Sequence, residues 1–207
     1  MSVPIPHYLK DIAVLEKQKG AWVHFSVKCS CESDRFLVYE NYLNKEETAL
    51  EKPYYDKLTE IYCSNSPRIT TKDENGKIHY WKALEDSKEE IIIPEKPYFS
   101  GITVIKAKCA DCGKEHLIFD SRIHGYDGIT SEETKEAMDY EPHFRSKCKG
   151  FVSLSLKIEN SESFEEFSED FDLGFNEEQY SNAFSWIMIY KTDEKGKKTK
   201  IFDYETT

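Results

Sequence analysis

Six cysteines are the side chains best suited to chemistry in this sequence, and four of them lie in two close pairs. Cys29 and Cys31 form the first pair, and Cys109 and Cys112 form the second. Two thiolates presented by one tight turn supply half of a tetrahedral metal site, so two such turns predict a closed four-cysteine site. We expect it to hold a structural Zn²⁺, because four thiolates leave no coordination position for a catalytic water.

Other roles for the sulfur atoms stay open. Cys109 and Cys112 have the spacing of a redox pair, but a redox CxxC usually precedes a helix, and here a strand is predicted to follow. Cys63 and Cys148 each follow a cysteine pair at a similar interval and are alternative third ligands, although we expect both to be buried free thiols. His116 could replace a cysteine ligand, but its place in a predicted strand favours a structural role.

The loop that follows residue 119 is the densest group of polar side chains. In an enzymatic alternative, His124 carries a proton, Asp120 or Asp127 orients it, and Arg122 binds an anionic substrate such as a phosphate compound in a hydrolase or nuclease. In the structural alternative, Asp120 and Arg122 pair with each other and the glycines shape a turn. The second alternative is favoured, because no other catalytic motif accompanies the loop.

A strongly acidic stretch lies near the end of the sequence. Between residues 158 and 190 there are nine acidic residues and no lysine, arginine or histidine, and phenylalanines recur there at helical spacing. An acidic helix with aromatic anchors suits a basic protein partner, as in an immunity protein or inhibitor, although such a face can also serve solubility alone. The residues expected to bind the partner are Glu162, Glu165, Glu166, Glu169 and Asp170.

The overall charge favours a non-enzymatic interaction protein over a nucleic-acid binder. The 207 residues include 28 basic and 39 acidic side chains, a net charge of −11. A zinc-ribbon nucleic-acid binder would need cations gathered on one face, for which the candidates are Lys106, Lys108, Lys114 and Arg122. No apolar run is long enough to span a membrane and no signal peptide is evident, so we expect a cytoplasmic protein.

The cysteine pairs have similar flanks, which indicates an internal repeat. Residues 23–27 and 36–40 flank the first pair, and residues 103–107 and 117–120 flank the second, and each set predicts a strand, a turn and a strand. A further copy without a cysteine pair is predicted at Lys147–Gly150, ahead of the alternating residues 151–158.

A third copy without sulfur follows near the end of the sequence. Residues 191–197 align with residues 108–114 without a gap, and Thr192 and Lys195 stand where the second pair has cysteines. Neither residue is a thiolate donor, so this hairpin has lost its metal ligands if the copies share an origin. An ordinary hairpin with Gly196 in its turn is the alternative.

The segment Lys-Cys-Ala-Asp-Cys-Gly at residues 108–113 resembles half of a zinc ribbon. The segment from Phe184 to Thr206, which closes with Phe-Asp-Tyr-Glu-Thr, resembles the last part of small bacterial zinc-ribbon proteins with no assigned activity. The resemblance implies a structural metal site and no catalytic residues. This sequence departs from the pattern in having Cys-Ser-Cys at the first pair and no cysteines in the last hairpin.

We therefore expect an α+β fold of mostly antiparallel β hairpins, zinc-ribbon-like and internally repeated, with a few short helices. One domain spans 1–207; two pseudo-repeats (about 1–85 and 86–165) followed by a helix and degenerate hairpin (166–207) are an open subdivision. The predicted helices cover residues 8–15, 44–63 with an interruption at Pro53, 130–138 and the acidic stretch. Asn75-Gly76 predicts a hairpin between residues 68 and 81.

Overall fold

The computed structural model describes residues 5–63, 68–74, 77–83, 88–130, 135, 137–159 and 181–206. A 3-10 helix spans His7–Leu9, and the α-helices are α1 (Lys45–Cys63) and α2 (Gly125–Thr130). The strands of the described residues are β1 (Ala13–Lys19), β2 (Trp22–Val27), β3 (Phe36–Tyr42), β4 (Arg68–Lys72), β5 (Ile78–Ala83), β6 (Lys88–Ile91), β7 (Val104–Cys109), β8 (Glu115–Asp120), β9 (His143–Ser146), β10 (Ser153–Glu159), β11 (Trp186–Thr192) and β12 (Lys198–Glu205).

The chain divides into two compact units. The first unit contains Met1–Tyr42 together with Gly101–Thr207, and the second contains Leu43–Ser100. The second unit is therefore inserted in the sequence between β3 and β7, which pair with each other in the first unit. The predicted pseudo-repeats, with a boundary near residue 85, stay a prediction.

Two antiparallel sheets build the first unit. One has the strand order β1-β2-β10-β11-β12, and the other has the order β8-β7-β3-β9. Alternate residues of β2, β10 and β11 are buried, and they join buried residues of β3, β7 and β8 in one hydrophobic core. An α+β fold made mainly of antiparallel sheet is confirmed, whereas the zinc-ribbon-like repeat stays a prediction.

The chain crosses between these two sheets at two adjacent places. The segment from β2 to β3 leaves the five-stranded sheet for the four-stranded sheet, and the segment from β9 to β10 returns. The two segments are joined by Phe36 and Val152, whose backbone N–H groups each donate a hydrogen bond to the other's carbonyl, at 2.8 and 3.0 Å. The strand, turn and strand predicted around the first cysteine pair are present, but β2 and β3 do not pair as a hairpin.

The other two predicted hairpins are confirmed. β7 pairs with β8 around the second cysteine pair, and β11 pairs with β12 around the turn that lacks cysteines. Each of these hairpins stays within one sheet.

The helix predicted for residues 8–15 is wrong. Only His7–Leu9 is helical, in a 3-10 turn, and Ala13 already begins β1. Leu9 and Ile12 are buried from this turn, so the apolar spacing that suggested a helix reflects packing of a compact turn on the core. β1 lies at the edge of its sheet with mostly exposed side chains, so it has no alternating apolar pattern.

The second unit consists of α1 and the sheet β4-β5-β6. α1 begins with a capping box: the Asn44 side chain accepts hydrogen bonds from the N–H groups of Glu46 and Glu47, and the Glu47 carboxylate accepts one from the N–H of Asn44. The expected interruption at Pro53 is wrong, because the helix continues through it. The hairpin predicted between residues 68 and 81 is confirmed by the pairing of β4 with β5.

The remaining helix predictions meet the limits of the described residues. α2 ends at Thr130, where a helix was expected to begin, and residues 131–134 lie outside the described part. The helix predicted in the acidic stretch lies there also, because residues 160–180 are not described. No described helix combines the length and the apolar character needed to cross a bilayer.

Candidate metal centre

The two cysteine pairs converge in the first unit. The Sγ atoms of Cys29, Cys31, Cys109 and Cys112 all lie within 4.8 Å of one another. Two of these distances are 3.5 Å, between Cys29 and Cys112 and between Cys31 and Cys109. A tetrahedron with metal–sulfur bonds of about 2.3 Å has sulfur atoms about 3.8 Å apart. The four sulfur atoms therefore fit a tetrahedral metal ion, as their spacing in the sequence predicted.

The second cysteine pair lies in the turn of the β7–β8 hairpin. We call residues 109–114 the second knuckle; the N–H of Cys109 donates to the carbonyl of Lys114 at 2.9 Å and closes it. Gly113 has a φ of 74°, a conformation that glycine adopts without steric cost. Its N–H donates to the carbonyl of Cys109 at 3.1 Å. Both cysteines are thus fixed by a short turn.

The first cysteine pair lies in a turn that is closed in the same way with one residue fewer. In this first knuckle, residues 29–33, the N–H of Cys29 donates to the carbonyl of Ser33 at 2.8 Å. The residue before the closing position is Glu32, with a φ of 68°, and its N–H donates to the carbonyl of Cys29 at 2.8 Å. The first knuckle, with Cys-Ser-Cys, is therefore one residue shorter than the second, with Cys-x-x-Cys. Both knuckles have a residue of positive φ just before the closing position.

Hydrogen bonds within the cluster change the acidity of the four thiols. The backbone N–H of Cys112, acting against burial and together with the N–H of Asp111, lowers the pKa of Cys109 to about 6. Burial raises the pKa of Cys29, but the backbone N–H of Cys31 and the thiol of Cys112 outweigh it and lower this pKa. The N–H of Ser33 favours ionisation of Cys31, yet the sulfur atoms of Cys112 and Cys109 raise its pKa to about 12.

Two thiols of the cluster therefore ionise easily and two resist ionisation. For Cys112 the N–H of Lys114 favours the thiolate, but the neighbouring Cys29 and Cys109 sulfur atoms raise its pKa. Four thiolates at this separation repel one another unless a cation lies between them. The donor set thus has the chemistry of a metal site rather than of four independent thiols.

His116 supports the cluster from inside the protein. Its side chain is buried in β8, with Nε2 3.3 Å from the Sγ of Cys29 and its ring edge-on to Phe36. Burial, and then the charge of Lys114, lower the pKa of His116, so the ring is neutral at pH 7. The tautomer protonated at Nε2 donates to the Cys29 sulfur. His116 is outside the group of four mutually close ligand atoms, so it contacts a ligand rather than replacing one.

In the β11–β12 turn, which has no cysteines, a carboxylate accepts the hydrogen bonds that hold the turn. The Oδ1 of Asp193 accepts hydrogen bonds from the N–H groups of Lys195 and Lys197, at 3.0 and 2.9 Å, and Gly196 has a φ of 77°. Thr192 and Lys195 occupy the aligned cysteine positions, as the sequence showed. This turn is therefore held by hydrogen bonds alone, and its common origin with the second knuckle stays a prediction.

The two remaining cysteines have different environments. Cys148 is buried where the chain crosses from β9 to β10, as expected, and burial raises the pKa of its thiol. Cys63 is exposed at the end of α1, so the expectation that it is buried is wrong. Exposure follows from the position of Cys63 on the last turn of α1, where only one side chain of the helix, Ile61, is buried.

The polar loop after β8 has a structural role, because its charged side chains bind each other and the backbone. The Arg122 guanidinium donates to both carboxylate oxygens of Asp120, at 2.9 and 2.7 Å, and to the backbone carbonyls of Ala137 and Tyr140. The local Asp120–Arg122 pair that the sequence suggested is thus confirmed. With the carbonyl of Met138 at 3.5 Å the guanidinium has five acceptors, and it is mostly buried, so it does not offer a free anion site.

His124 is also held inside the protein. Only 1% of the residue is exposed, its Nδ1 accepts a hydrogen bond from the N–H of Asp120 at 2.9 Å, and its ring stacks on Tyr8 at 3.5 Å. Burial lowers the pKa of His124 to about 3, against the nearby charge of Asp120. The ring stays neutral and screened from solvent, which gives the enzymatic alternative no accessible proton carrier. The Asp127 side chain is outside the described part of the structure.

Two further groups of predicted residues are the cations of a nucleic-acid face and the acids of a partner-binding face. Lys106 lies over the Phe144 ring, Lys108 pairs with Glu115, and Arg122 is bound to Asp120, so three of the four cations proposed for a zinc-ribbon nucleic-acid face are engaged within the protein. The fourth, Lys114, is exposed at the end of the second knuckle. The predicted partner-binding side chains lie outside the described residues: Glu162, Glu165, Glu166, Glu169 and Asp170.

Comparisons with models of protein families, with curated proteins and with solved structures give no match to this chain.

Proposed function

We propose that this chain is a non-enzymatic protein-interaction module of the cytoplasm that is stabilised by one structural Zn²⁺. The observation that carries the proposal is the convergence of four cysteine sulfur atoms from two distant turns. A reducing compartment keeps such thiols available for metal binding. A four-thiolate site leaves no open position for a substrate or a catalytic water, so the metal has a structural role.

The zinc ion would act at the place where the chain crosses between the two sheets. Cys29 and Cys31 follow β2 and precede β3, whereas Cys109 and Cys112 belong to the β7–β8 hairpin. Zn²⁺, when bound, neutralises the thiolates and links both knuckles. Cys29 and Cys109 hold the buried side of the site and Cys31 and Cys112 the exposed side, while His116 orients the Cys29 sulfur.

The proposed partner is a basic protein, bound through the acidic stretch at residues 159–178. This part of the proposal rests on the sequence, where nine carboxylates alternate with phenylalanines and no cation is present. Opposite charge accelerates encounter and disfavours acidic competitors, which is the arrangement of an immunity protein or inhibitor. A zinc-linked scaffold would present the stretch without taking part in chemistry.

Metal content and thiol reactivity test the zinc site. The purified protein should contain one zinc per chain, with Cys63 as its one fast-reacting thiol, and chelation should release four more thiols together. Cys31→Ser should abolish zinc binding, whereas Cys63→Ser, the matched control, should remove one reactive thiol and keep the metal. Protein that is free of metal when purified under reducing conditions, with Cys31 and Cys112 already reactive, would contradict the proposal.

Charge reversal tests the acidic stretch separately. We would crosslink the tagged protein in its own cells, identify the partner by mass spectrometry and measure binding of the purified pair. Glu165→Lys, Glu166→Lys and Glu169→Lys together should abolish binding to a basic partner while zinc content and melting temperature stay unchanged. The control reverses three exposed acids of the second unit, Asp56, Glu60 and Glu89. Equal affinity of both triple variants would refute a role for the stretch.

A further inference from the structure

The outer face of the five-stranded sheet carries aromatic and cationic side chains in register. The inward side chains of β2, β10 and β11 form the core, and the alternate positions point to the opposite face. Two adjacent rows cross that opposite face, consisting of Trp22, Glu159 and Trp186 in one and His24, Lys157 and Met188 in the other. All six side chains are half-buried. We call this surface the outer sheet face.

Aromatic rings and lysines contact one another on this face. The rings of Trp22 and Trp186 lie 6.0 Å apart and are inclined by 52°. The Nζ of Lys157 lies 3.6 Å from the centroid of the Trp22 ring, and the Nζ of Lys198 lies 5.0 Å from that of Tyr190. Trp22 and Tyr190 thus each present a π-surface to a lysine, and Trp22 also contacts the Trp186 ring.

The charge of the outer sheet face is opposite to that of the whole chain. Its acidic residues are Glu159, Asp203 and Glu205, together with Glu16 in the bulge of β1, and Asp203 is paired with a lysine. Its basic residues are Lys17, Lys19, Lys157, Lys198 and Lys200. Lys17 and Lys157 flank His24 in the register of β1, β2 and β10. Burial, and then the charges of Lys17, Lys157 and Lys198, lower the pKa of His24 against the opposing charge of Glu16.

We propose that the outer sheet face binds single-stranded nucleic acid, with bases stacked on Trp22 and Trp186 and phosphates beside Lys17, Lys157 and Lys198. The tryptophans can stack on the bases because every base has a π-face, and the lysines can bind the backbone because every phosphodiester linkage carries a negative charge. The proposal concerns side chains of the five-stranded sheet, none of which is a candidate metal ligand, and it does not depend on the partner proposed for the acidic stretch.

Single-stranded nucleic acid fits the face better than the other anionic ligands. A double helix keeps its bases stacked inside and offers the tryptophans no free π-surface. An acidic peptide satisfies the lysines but brings no planar group to each ring. Glu159 and Glu205 lie in the tryptophan row, which favours bases over phosphates at that position. The net charge of −11 restricts phosphate contacts to the lysine-rich part of the face.

Fluorescence anisotropy with a labelled deoxythymidine oligomer of about twelve nucleotides at low salt tests the proposal. We expect saturable binding that Trp22→Leu or Trp186→Leu weakens about tenfold each, while Trp22→Phe, which keeps a stacking ring, retains most of the affinity. Replacing Lys17, Lys157 and Lys198 with glutamine should reduce the salt slope of the logarithm of the affinity by about two. Melting curves establish that each variant is folded.

The matched control is Trp81→Leu. Trp81 lies in the second unit and also has a lysine against its ring, with the Nζ of Lys88 4.2 Å from the centroid, so it matches Trp22 in chemistry but not in location. Equal loss of affinity in Trp81→Leu, or loss only when Lys106, Lys108 and Lys114 are replaced, would overturn the assignment to this face. Equally tight binding of polyglutamate, or no saturable binding of the oligomer, would also overturn it.

Discussion

At the scale of single residues, the two knuckles share one backbone position with positive φ but have different residue types there. The second knuckle has Gly113 there, whereas the first has Glu32, whose β-carbon makes the same backbone conformation unfavourable. Glu32 also pairs with Lys28 at 3.5 Å, but both side chains are exposed, and such pairs stabilise proteins little. The first knuckle therefore contains local strain that the surrounding turn maintains.

We expect Glu32→Gly to raise the free energy of unfolding by about 0.5–1 kcal/mol, because glycine removes the strain and loses part of this gain to its greater freedom in the unfolded chain. Urea denaturation of the metal-loaded protein measures the change. Glu32→Ala is the control, since it removes the same carboxylate and keeps the β-carbon. If both variants raised the free energy of unfolding equally, the effect would come from removal of the Glu32 charge and not from the backbone conformation.

The buried His124 predicts a loss of stability in acid. The pKa of His124 is about 3 in the folded protein, whereas an unburied histidine has a pKa of 6.5. Between these pH values the unfolded chain therefore binds one proton more than the folded chain. The contribution of neutral His124 is therefore complete above about pH 6.5 and is lost as the pH falls towards 3. Between pH 7 and pH 4.5 it amounts to about 2–3 kcal/mol.

His124→Asn, which keeps an acceptor for the N–H of Asp120, should be less stable at pH 7 and should lose less stability on acidification. Urea denaturation of both chains at several pH values gives this difference, and acid-induced metal loss cancels because it affects both chains. Parallel curves of stability against pH would show that His124 titrates normally.

Residue-scale predictions from the sequence succeeded where the geometry is local. Two cysteines separated by one or two residues fit a turn, and their convergence with a second pair followed from the needs of a metal. The contact of His116 with Cys29 and the stacking of His124 on Tyr8 depend on how distant elements pack, and the sequence contains no sign of either. The sequence also contains no sign that Trp22 and Trp186 share a surface, because their strands are neighbours of β10 and not of each other.

At the scale of elements, the start of α2 closely approaches Thr206, the residue that follows β12. Gly125 has a φ of 79°, and a β-carbon there would lie 2.2 Å from the Cγ2 of Thr206. The Oγ1 of Thr206 accepts a hydrogen bond from the N–H of Tyr126 and donates one to the carbonyl of Phe184. The absence of a side chain at position 125 is thus a condition for this contact.

Gly125→Ala should lower the free energy of unfolding by about 2–4 kcal/mol, since it adds a steric clash to the cost of the left-handed conformation. Gly101→Ala is the matched control, because Gly101 has a φ of 82° and open space around its missing side chain, so it should cost only about 1–2 kcal/mol. Thr206→Ser in the Gly125→Ala background should recover part of the loss by removing Cγ2. Equal costs at both glycines would contradict the close contact. Urea denaturation measures all three.

Element boundaries were predicted well only where a local signal exists. Asn44 and Glu47 mark the start of α1, and the alternation of apolar residues marks β2 and β10. The edge strand β1 has no such pattern. Proline propensity predicts a break at Pro53, but α1 continues through it. The pairing of β2 with β10 joins parts of the sequence that are far apart, and no local signal specifies it.

At the scale of the whole molecule, the second unit is an insertion between paired strands. β3 and β7 are antiparallel neighbours, and the Asn41 side chain donates to the carbonyl of Ile102 and accepts from the N–H of Val104 at the place where the chain leaves and returns. All four cysteines of the cluster belong to the first unit. The first unit therefore contains all four candidate metal ligands.

We expect the first unit to keep its zinc when Leu43–Ser100 is replaced by a turn of about four residues, because strand neighbours need only a short connection. Metal analysis and thermal unfolding of the shortened chain measure this, and the same deletion with Cys31→Ser is the metal-free control. A shortened chain that folds only as well as its control, without metal, would show that the site needs the second unit.

The order of strands in the five-stranded sheet has a consequence for the rate of folding. β1 and β2 come from the beginning of the sequence and β10, β11 and β12 from its end, so this sheet cannot form until distant segments meet. Closing such long loops by diffusion is slow. A metal ion captured early by the two knuckles would shorten the effective loop, because it brings β2 and β3 beside β7 before the sheet exists. Chains refolding with zinc should therefore reach the native state faster than zinc-free chains, which makes the ion a template for assembly.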